Sequence, residues 1–113
     1  MERRCGGVKS VTLGAQVLME GIVDPILHIK DLRCFVSVYE RRSFSRAADE
    51  LDTVQSLVST RVQRLERFVG ARLFTRLPHG IEPNSHGDVV YRHAKKLLDN
   101  LAELQAELGH RAA

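Results

Sequence analysis

The stretch from Thr53 to Glu66 reads TVQSLVSTRVQRLE. Val58, Val62 and Leu65 recur at the i, i+4, i+7 spacing that turns one face of an α-helix toward a core. With those three inward, Gln55, Ser56, Ser59, Thr60 and Gln63 are expected to face outward along the front half. Arg61, Arg64 and Arg67 charge the turns behind them. Amides and hydroxyls in front and guanidinium groups behind suit a partner that offers hydrogen-bonding edges and negative charge.

The residues before this helix supply its setting. Leu32, Phe35, Val36 and Tyr39 share one face of a helix expected from about Ile29 to Arg41. Ser43 is a natural N-cap for a second, shorter helix whose stripe is Phe44, Ala47, Ala48 and Leu51. The paired alanines let a neighbouring helix backbone come close. Thr53 is expected to cap the third helix. Two short helices joined by a turn of a few residues, behind a supporting first helix, make a helix-turn-helix. In that setting Gln and hydroxyl side chains at the front of the second helix are the types that reach base edges in a DNA major groove. The helix N-terminus favours a phosphate, and Arg61 and Arg64 are expected to bind backbone phosphates. The plainer alternative is a polar helix face in contact with water.

Downstream, ARLFTRLPHGIEPN reads as a hairpin, with Pro78 and Gly80 in the turn. A short ribbon directly after such a helix is a wing, whose expected minor-groove contacts are Arg76 and His79. The alternative is a hairpin that only covers the core. Between Thr53 and Gly80 five arginines stand against one acid, Glu66, whereas the rest of the chain is near balance. Charge confined to one helix and its hairpin is the footprint of a polyanion partner.

The last helix is expected from about Ser85 to Gly109. Val90, Leu97 and Leu104 repeat every seven residues, and so do Ala94, Leu101 and Leu108. The interleaved spacing is a heptad seam. A helix of about 25 residues is ~37 Å long, too long to pack wholly on a small domain, so these six residues are expected to pair with a second chain.

Composition excludes several classes. At 113 residues there is room for one domain with a modest core. Aromatics are 5% with no Trp, which disfavours a stacking platform for single strands. Cys5 and Cys34 are far apart and fit neither a disulfide framework nor a metal site, and a reducing cytoplasm suits them. His79, His86 and His93 recur every seven residues but lack metal-ligand spacing. No paired carboxylates, glycine-rich phosphate loop or Ser-His-Asp setting points to catalysis, so neither an enzyme nor a cofactor is expected. The first 27 residues lack periodicity and are expected to form a poorly ordered extension. Within it, Met19 is an alternative start, and the alternative of a DNA-contacting basic arm has only Arg3, Arg4 and Lys9 in its favour. No segment approaches the length of a membrane span.

From LRCFVSVYERRSFSRAADEL through QSLVSTRVQRLE and RLFTR to Gly87, the order of elements resembles the N-terminal DNA-binding domain of LysR-type transcriptional regulators. The resemblance covers about Ile29 to Leu104. It implies that Gln55, Ser56, Ser59 and Thr60 stand at the family's base- and backbone-contacting positions, and Arg76 and His79 at its wing contacts. It also implies dimerisation through the linker helix. The chain departs from the family pattern at Val54, where Ser is usual, and at Leu57, where Ala is common. Thr60 and His79 occupy positions that often carry Arg, and EPNSHG replaces the usual leucine–threonine lead-in.

The expected fold is therefore mostly α. Residues 1–27 form an extension, 28–84 a winged helix-turn-helix of three helices and a two-stranded wing, and 85–110 a long dimerisation helix. The expected function is sequence-specific binding of double-stranded DNA in transcription regulation, as a homodimer or mixed dimer. The family's effector-binding domain, and with it a small-molecule effector, is expected to be absent from this chain. The rival reading is a protein-interaction module that forms mixed dimers with a full-length relative and regulates by titration. A third is the product of a disrupted gene.

Overall fold

The structure, a computed structural model, describes residues 26–109. The expectations for a basic arm and for Met19 fall on residues 1–25, outside the described residues. Four helices and one hairpin follow in order: α1 (Ile29–Arg41), α2 (Phe44–Glu50), α3 (Gln55–Val69), β1 (Phe74–Leu77), β2 (Gly80–Pro83) and α4 (Ser85–Glu107). The fold is a winged helix-turn-helix followed by a long C-terminal helix.

Helix α1 is the hub, because it packs against α2, α3 and α4. Its buried residues run nearly all the way round, from Asp31 and Leu32 through Cys34 to Val38. The core gathers Phe35, Val38, Ala47, Val58, Val62, Leu65 and Leu73, all essentially without exposure. Phe35 lies 5.5 Å from Phe74, and Phe74 lies 6.0 Å from Phe44, so an aromatic run ties α1 to the wing and to α2. Burial at the centre of α1 pushes the Cys34 thiol up, which leaves it in the unreactive protonated form.

The turns are closed by local chemistry. Arg42 ends α1 in the left-handed region at φ 56°, and its backbone N–H donates to the Val38 carbonyl. Ser43 caps α2 as expected, its Oγ accepting from the Arg46 N–H at 3.0 Å. Across the α1–α2 corner, the Glu50 carboxylate accepts from Ser37 Oγ at 2.6 Å and from Arg41 Nε at 3.2 Å. Those two bonds, the serine's first, hold the Glu50 carboxyl below its usual range. Thr53 does not cap α3. The N-cap is Val54, with no side-chain bond, and the Thr53 N–H instead closes the turn by donating to the Ala48 carbonyl at 2.9 Å. Helix α3 stops at Gly70, φ 79°, where a left-handed residue without a Cβ is favoured.

The start of α4 also packs into the hydrophobic core. Asn84 caps α4 by accepting from the Gly87 N–H at 2.8 Å, while its Nδ2 donates to the Arg72 carbonyl at 2.9 Å. A Cβ on Gly87 would lie 2.3 Å from the Leu73 carbonyl oxygen, so only glycine lets α4 sit this close to the wing base. Ala94 is buried in the core, with Val90, Tyr91 and Leu98 packed against it. The expected seam therefore divides. Ala94 belongs to the domain's own core, whereas Leu97, Leu104 and Leu108 are 47%, 51% and 66% exposed.

Helices α1 and α4 are also joined by a tyrosine clasp. The rings of Tyr39 and Tyr91 stack at 3.9 Å with 6° between their planes. Tyr39 donates to Asp88 at 2.8 Å, and Tyr91 donates to Glu40.

One carboxylate sits deeper. Asp31 is fully buried, and it accepts from Arg61 at 3.3 Å and from Arg64 at 3.0 and 3.3 Å. A buried carboxylate without partners would be very unfavourable, so these contacts fix how α3 lies on α1.

Removing that carboxylate leaves two neighbouring guanidinium groups without their counter-charge. Asp31→Ala is expected to destabilise the domain by about 3 kcal/mol in denaturant unfolding, and a loss under about 1 kcal/mol would contradict the pairing. The clasp gives a pH signature, since Tyr39 and Tyr91 are the two tyrosines of a chain without Trp. Hydrogen bonds to Asp88 and Glu40 raise the two phenols, and Tyr91 is pushed up to about 12. Folded values above the unfolded value of ~10 mean that the clasp contributes fully below pH ~10 and is lost as pH climbs through the folded values. Tyrosinate absorbance should rise late, and Tyr91→Phe should remove the later step. A single step at about 10 for both would show that the crossed bonds are not made.

Candidate nucleic-acid interface

Helix α3 presents an inner side, an outer side and two flanks. Its inner side is Val58, Val62 and Leu65, buried as the spacing predicts. At 100° per residue the opposite side carries Ser56, Thr60, Gln63 and Arg67, all exposed. Gln55, the first residue of the helix, is exposed at its front end. These side chains are held at the surface with their hydrogen-bonding groups outward, and the helix N-terminus beside them adds partial positive charge.

The two flanks of α3 meet different elements. One faces the start of α1, where Leu57 and Arg61 line a cleft with Lys30, Arg33 and Cys34. This is the side of the Asp31 contacts, and it changes the expectation for Arg61 and Arg64. Both are half-buried and ion-paired with Asp31 rather than standing clear at the surface. Asp31 thus draws both guanidinium groups toward α1 and offsets part of their charge.

The other flank faces the wing. Ser59 and Gln63 line a crevice with Phe44, Phe74, Arg76 and Ile81. Ser59 is half-buried there, so it belongs to the groove between helix and wing rather than to the outermost line of α3. The wing is antiparallel, with Arg76 opposite Ile81 and Leu77 opposite Gly80. Its turn is Pro78–His79. Alternation along β1 sets Arg76 on the same face as Phe74, alongside α3. His79 stands exposed at the tip, about two residues further out. The two expected wing contacts therefore occupy different depths. Arg76 adjoins the outer side of α3 and His79 extends beyond it.

Glu66, the single acid of this basic segment, is turned away from competing with a polyanion. Its carboxylate accepts from the Leu73 N–H at 2.9 Å, which pins the loop between α3 and the wing. Among the described residues Arg67, Arg72 and Arg76 have no ion-pair partner. They leave a free cationic rim on the outer and wing sides of α3. Sequence reasoning missed the roles of Asp31 and Glu66. An acid 30 and 33 residues from its arginines carries no periodic signal, though a lone Asp in an apolar helix face is itself a hint of a buried partner.

Among the described residues no three His, Cys, Asp or Glu side chains are grouped to hold a metal ion. No described helix is long and apolar enough to cross a membrane.

Residues 29–88 match the family model for bacterial regulatory helix-turn-helix proteins of the lysR family. The HTH-type transcriptional regulator GbpR of Azospirillum brasilense is 38% identical over 82 residues, which is 73% of this chain and 24% of that protein. BenM of Acinetobacter baylyi, also an HTH-type transcriptional regulator, is 35% identical over 78 residues, 69% of this chain and 26% of BenM. The chain thus spans about a quarter of the length of these two relatives. The crystal structure of the BenM DNA-binding domain with catB site 1 DNA superposes with a TM-score of 0.70 at 32% identity, covering 76% of this chain and 96% of that one. The CbnR DNA-binding domain in its DNA complex, at 24% identity and a TM-score of 0.69, shares the fold. With the family model matched from the first turn of α1 into α4, and the helix-turn-helix, wing and long helix all present, the chain belongs to the lysR family of bacterial regulatory helix-turn-helix proteins.

Proposed function

We propose that the chain binds double-stranded DNA sequence-specifically, in transcription regulation, as a dimer joined through the outer half of α4. The observation that carries this reading is the outer side of α3. Ser56, Thr60 and Gln63 stand exposed beside Gln55, backed by Arg67, Arg72 and Arg76 without acidic partners among the described residues. In this reading Gln55 and Gln63 read base edges through their amides, and Ser56, Ser59 and Thr60 supply adaptable hydroxyl contacts. Arg76 and His79 follow the backbone or the neighbouring minor groove from the wing. Arg61 and Arg64 act mainly by holding α3 in place against Asp31.

Dimerisation is supported by Leu97, Leu104 and Leu108, large apolar side chains exposed along the free part of α4, with half-buried Leu101 between them. Two domains joined there would present two recognition helices to two half-sites. A second reading keeps the same helix but changes the partner. The chain would form mixed dimers with a full-length relative and reduce that relative's hold on DNA. Uncharged Thr60 on the recognition helix and His79 at the wing tip favour it, since neither supplies a fixed charge to phosphate.

The test is fluorescence anisotropy of the chain on a duplex from the gene's own upstream region and on a scrambled duplex, across a salt series. Preference for the first by about a thousandfold, with a salt slope of several phosphates, is expected. Equal, weak binding to both would remove the sequence-reading function and favour mixed dimers. Gln55→Ala should cost about 1–3 kcal/mol and relax selectivity at one base pair, whereas Arg76→Ala should weaken all sequences alike and lower the salt slope by about 1. Leu104→Lys should shift the chain to monomer in light scattering without unfolding the domain, because Leu104 is half exposed and outside the core. A variant that remains dimeric would relocate the interface.

A further inference from the structure

Helix α4 has a seated half and a free half. The seated half is fixed at its start by Asn84 and by the close approach of Gly87 to Leu73, and midway by buried Ala94. Beyond Leu98 the helix runs out of the domain toward Leu104 and Leu108. Its direction on leaving is governed by how the seated half lies on α1, and there the contact is specific. Tyr39 and Tyr91 stack nearly parallel, and their hydroxyls cross in opposite directions, one to Asp88 on α4 and one to Glu40 on α1.

Greasy packing between helices tolerates small shear and rotation. A ring stack with two crossed hydrogen bonds has one register, because sliding α4 by a turn, about 5.4 Å, would break both bonds and unstack the rings. The α1 side is itself held. The Arg42 guanidinium lies 5.4 Å from the Tyr39 ring centre, and its Nε donates to the Tyr39 carbonyl at 2.8 Å. The hydrogen bonds of the clasp lie at the surface and leave the core to other residues, so their effect is on direction. The part of α4 beyond Leu98, out to Leu108, is about 15 Å long, so a tilt of about 12° at its base moves its end by ~3 Å. That is close to one base-pair step of about 3.4 Å, and two-fold symmetry applies the change on both sides of a dimer.

We propose that the Tyr39–Tyr91 clasp, with Glu40 and Asp88, sets the spacing of the two DNA half-sites that a dimer of this chain accepts. Tyr39 and Tyr91 are thus positioning residues for spacing selectivity, and the proposal rests on the dimeric DNA-binding reading above.

The test begins with a half-site selected from a random duplex library by the 113-residue chain. Anisotropy is then measured on a single half-site duplex and on duplexes carrying two copies whose spacing changes in one-base-pair steps. The chains are the unaltered protein, the double variant Tyr39→Phe/Tyr91→Phe, which keeps both rings but loses both crossed bonds, and Tyr91→Ala, which loses the stack. The unaltered chain should prefer one spacing over its neighbours by about tenfold or more. The double Phe variant should hold the single half-site within about twofold while its spacing preference falls to about threefold or less, and Tyr91→Ala should flatten the profile further. An unchanged profile in a folded double Phe variant, checked by circular dichroism, would overturn the proposal alone, even if Tyr91→Ala fails to fold. An unaltered chain that selects a half-site but ignores spacing would overturn the proposal together with the dimeric reading. One that selects no sequence would overturn DNA reading as well.

Discussion

One buried carboxylate sets the geometry of this domain. Asp31 has no water to turn to, and the cost of an isolated interior charge forces Arg61 and Arg64 of the recognition helix onto it. Three apolar contacts alone would leave α3 some freedom to roll about its axis. The ionic contact removes that freedom from the α1 side, and Glu66, bonded to the Leu73 backbone, ties the opposite flank of the helix to the loop before the wing. The side carrying Ser56 and Thr60 then faces outward as a consequence of what is anchored inside.

The same anchoring redistributes charge. A basic segment read from sequence looks like a uniform cationic patch. In the folded chain part of that charge is spent internally, and what remains free lies to one side, at Arg67, Arg72 and Arg76. Beside α1 the exposed cations come instead from α1 itself, Lys30 and Arg33, so the two flanks of α3 draw their positive charge from different elements. Fixed charge in such a place aligns a duplex before any base is read.

Much of this architecture was legible in sequence because it depends on short-range chemistry. The 3.6-residue spacing of Val58, Val62 and Leu65, the Ser43 cap, the small pair Ala47–Ala48 and the Pro78–Gly80 turn all act within a few residues, and each gives the element expected. What escaped depends on distant partners. Nothing near Thr53 reveals that its backbone N–H will be used by Ala48, which leaves Val54 at the cap. Ala94 and Leu97 stand equally well in a heptad, and which is buried is decided by how far along α4 the domain reaches. The crossed bonds of Tyr39 and Tyr91 join residues 49 and 51 positions apart, where no periodicity operates.

The division of α3 into an anchored side and an open side also makes it two modules in one helix. Positions 55, 56, 60 and 63 stand exposed and support nothing inside, so under the proposed DNA-reading function they are the ones whose exchange would change what is recognised. Positions 61, 64 and 66 travel with the scaffold, because each completes a contact made by another element. A foreign recognition helix grafted whole into this chain would orphan Asp31, and the graft would fail for reasons unrelated to its target. Grafted by its outward positions alone, it keeps the socket intact, so new specificities are accessible here through a handful of surface codons.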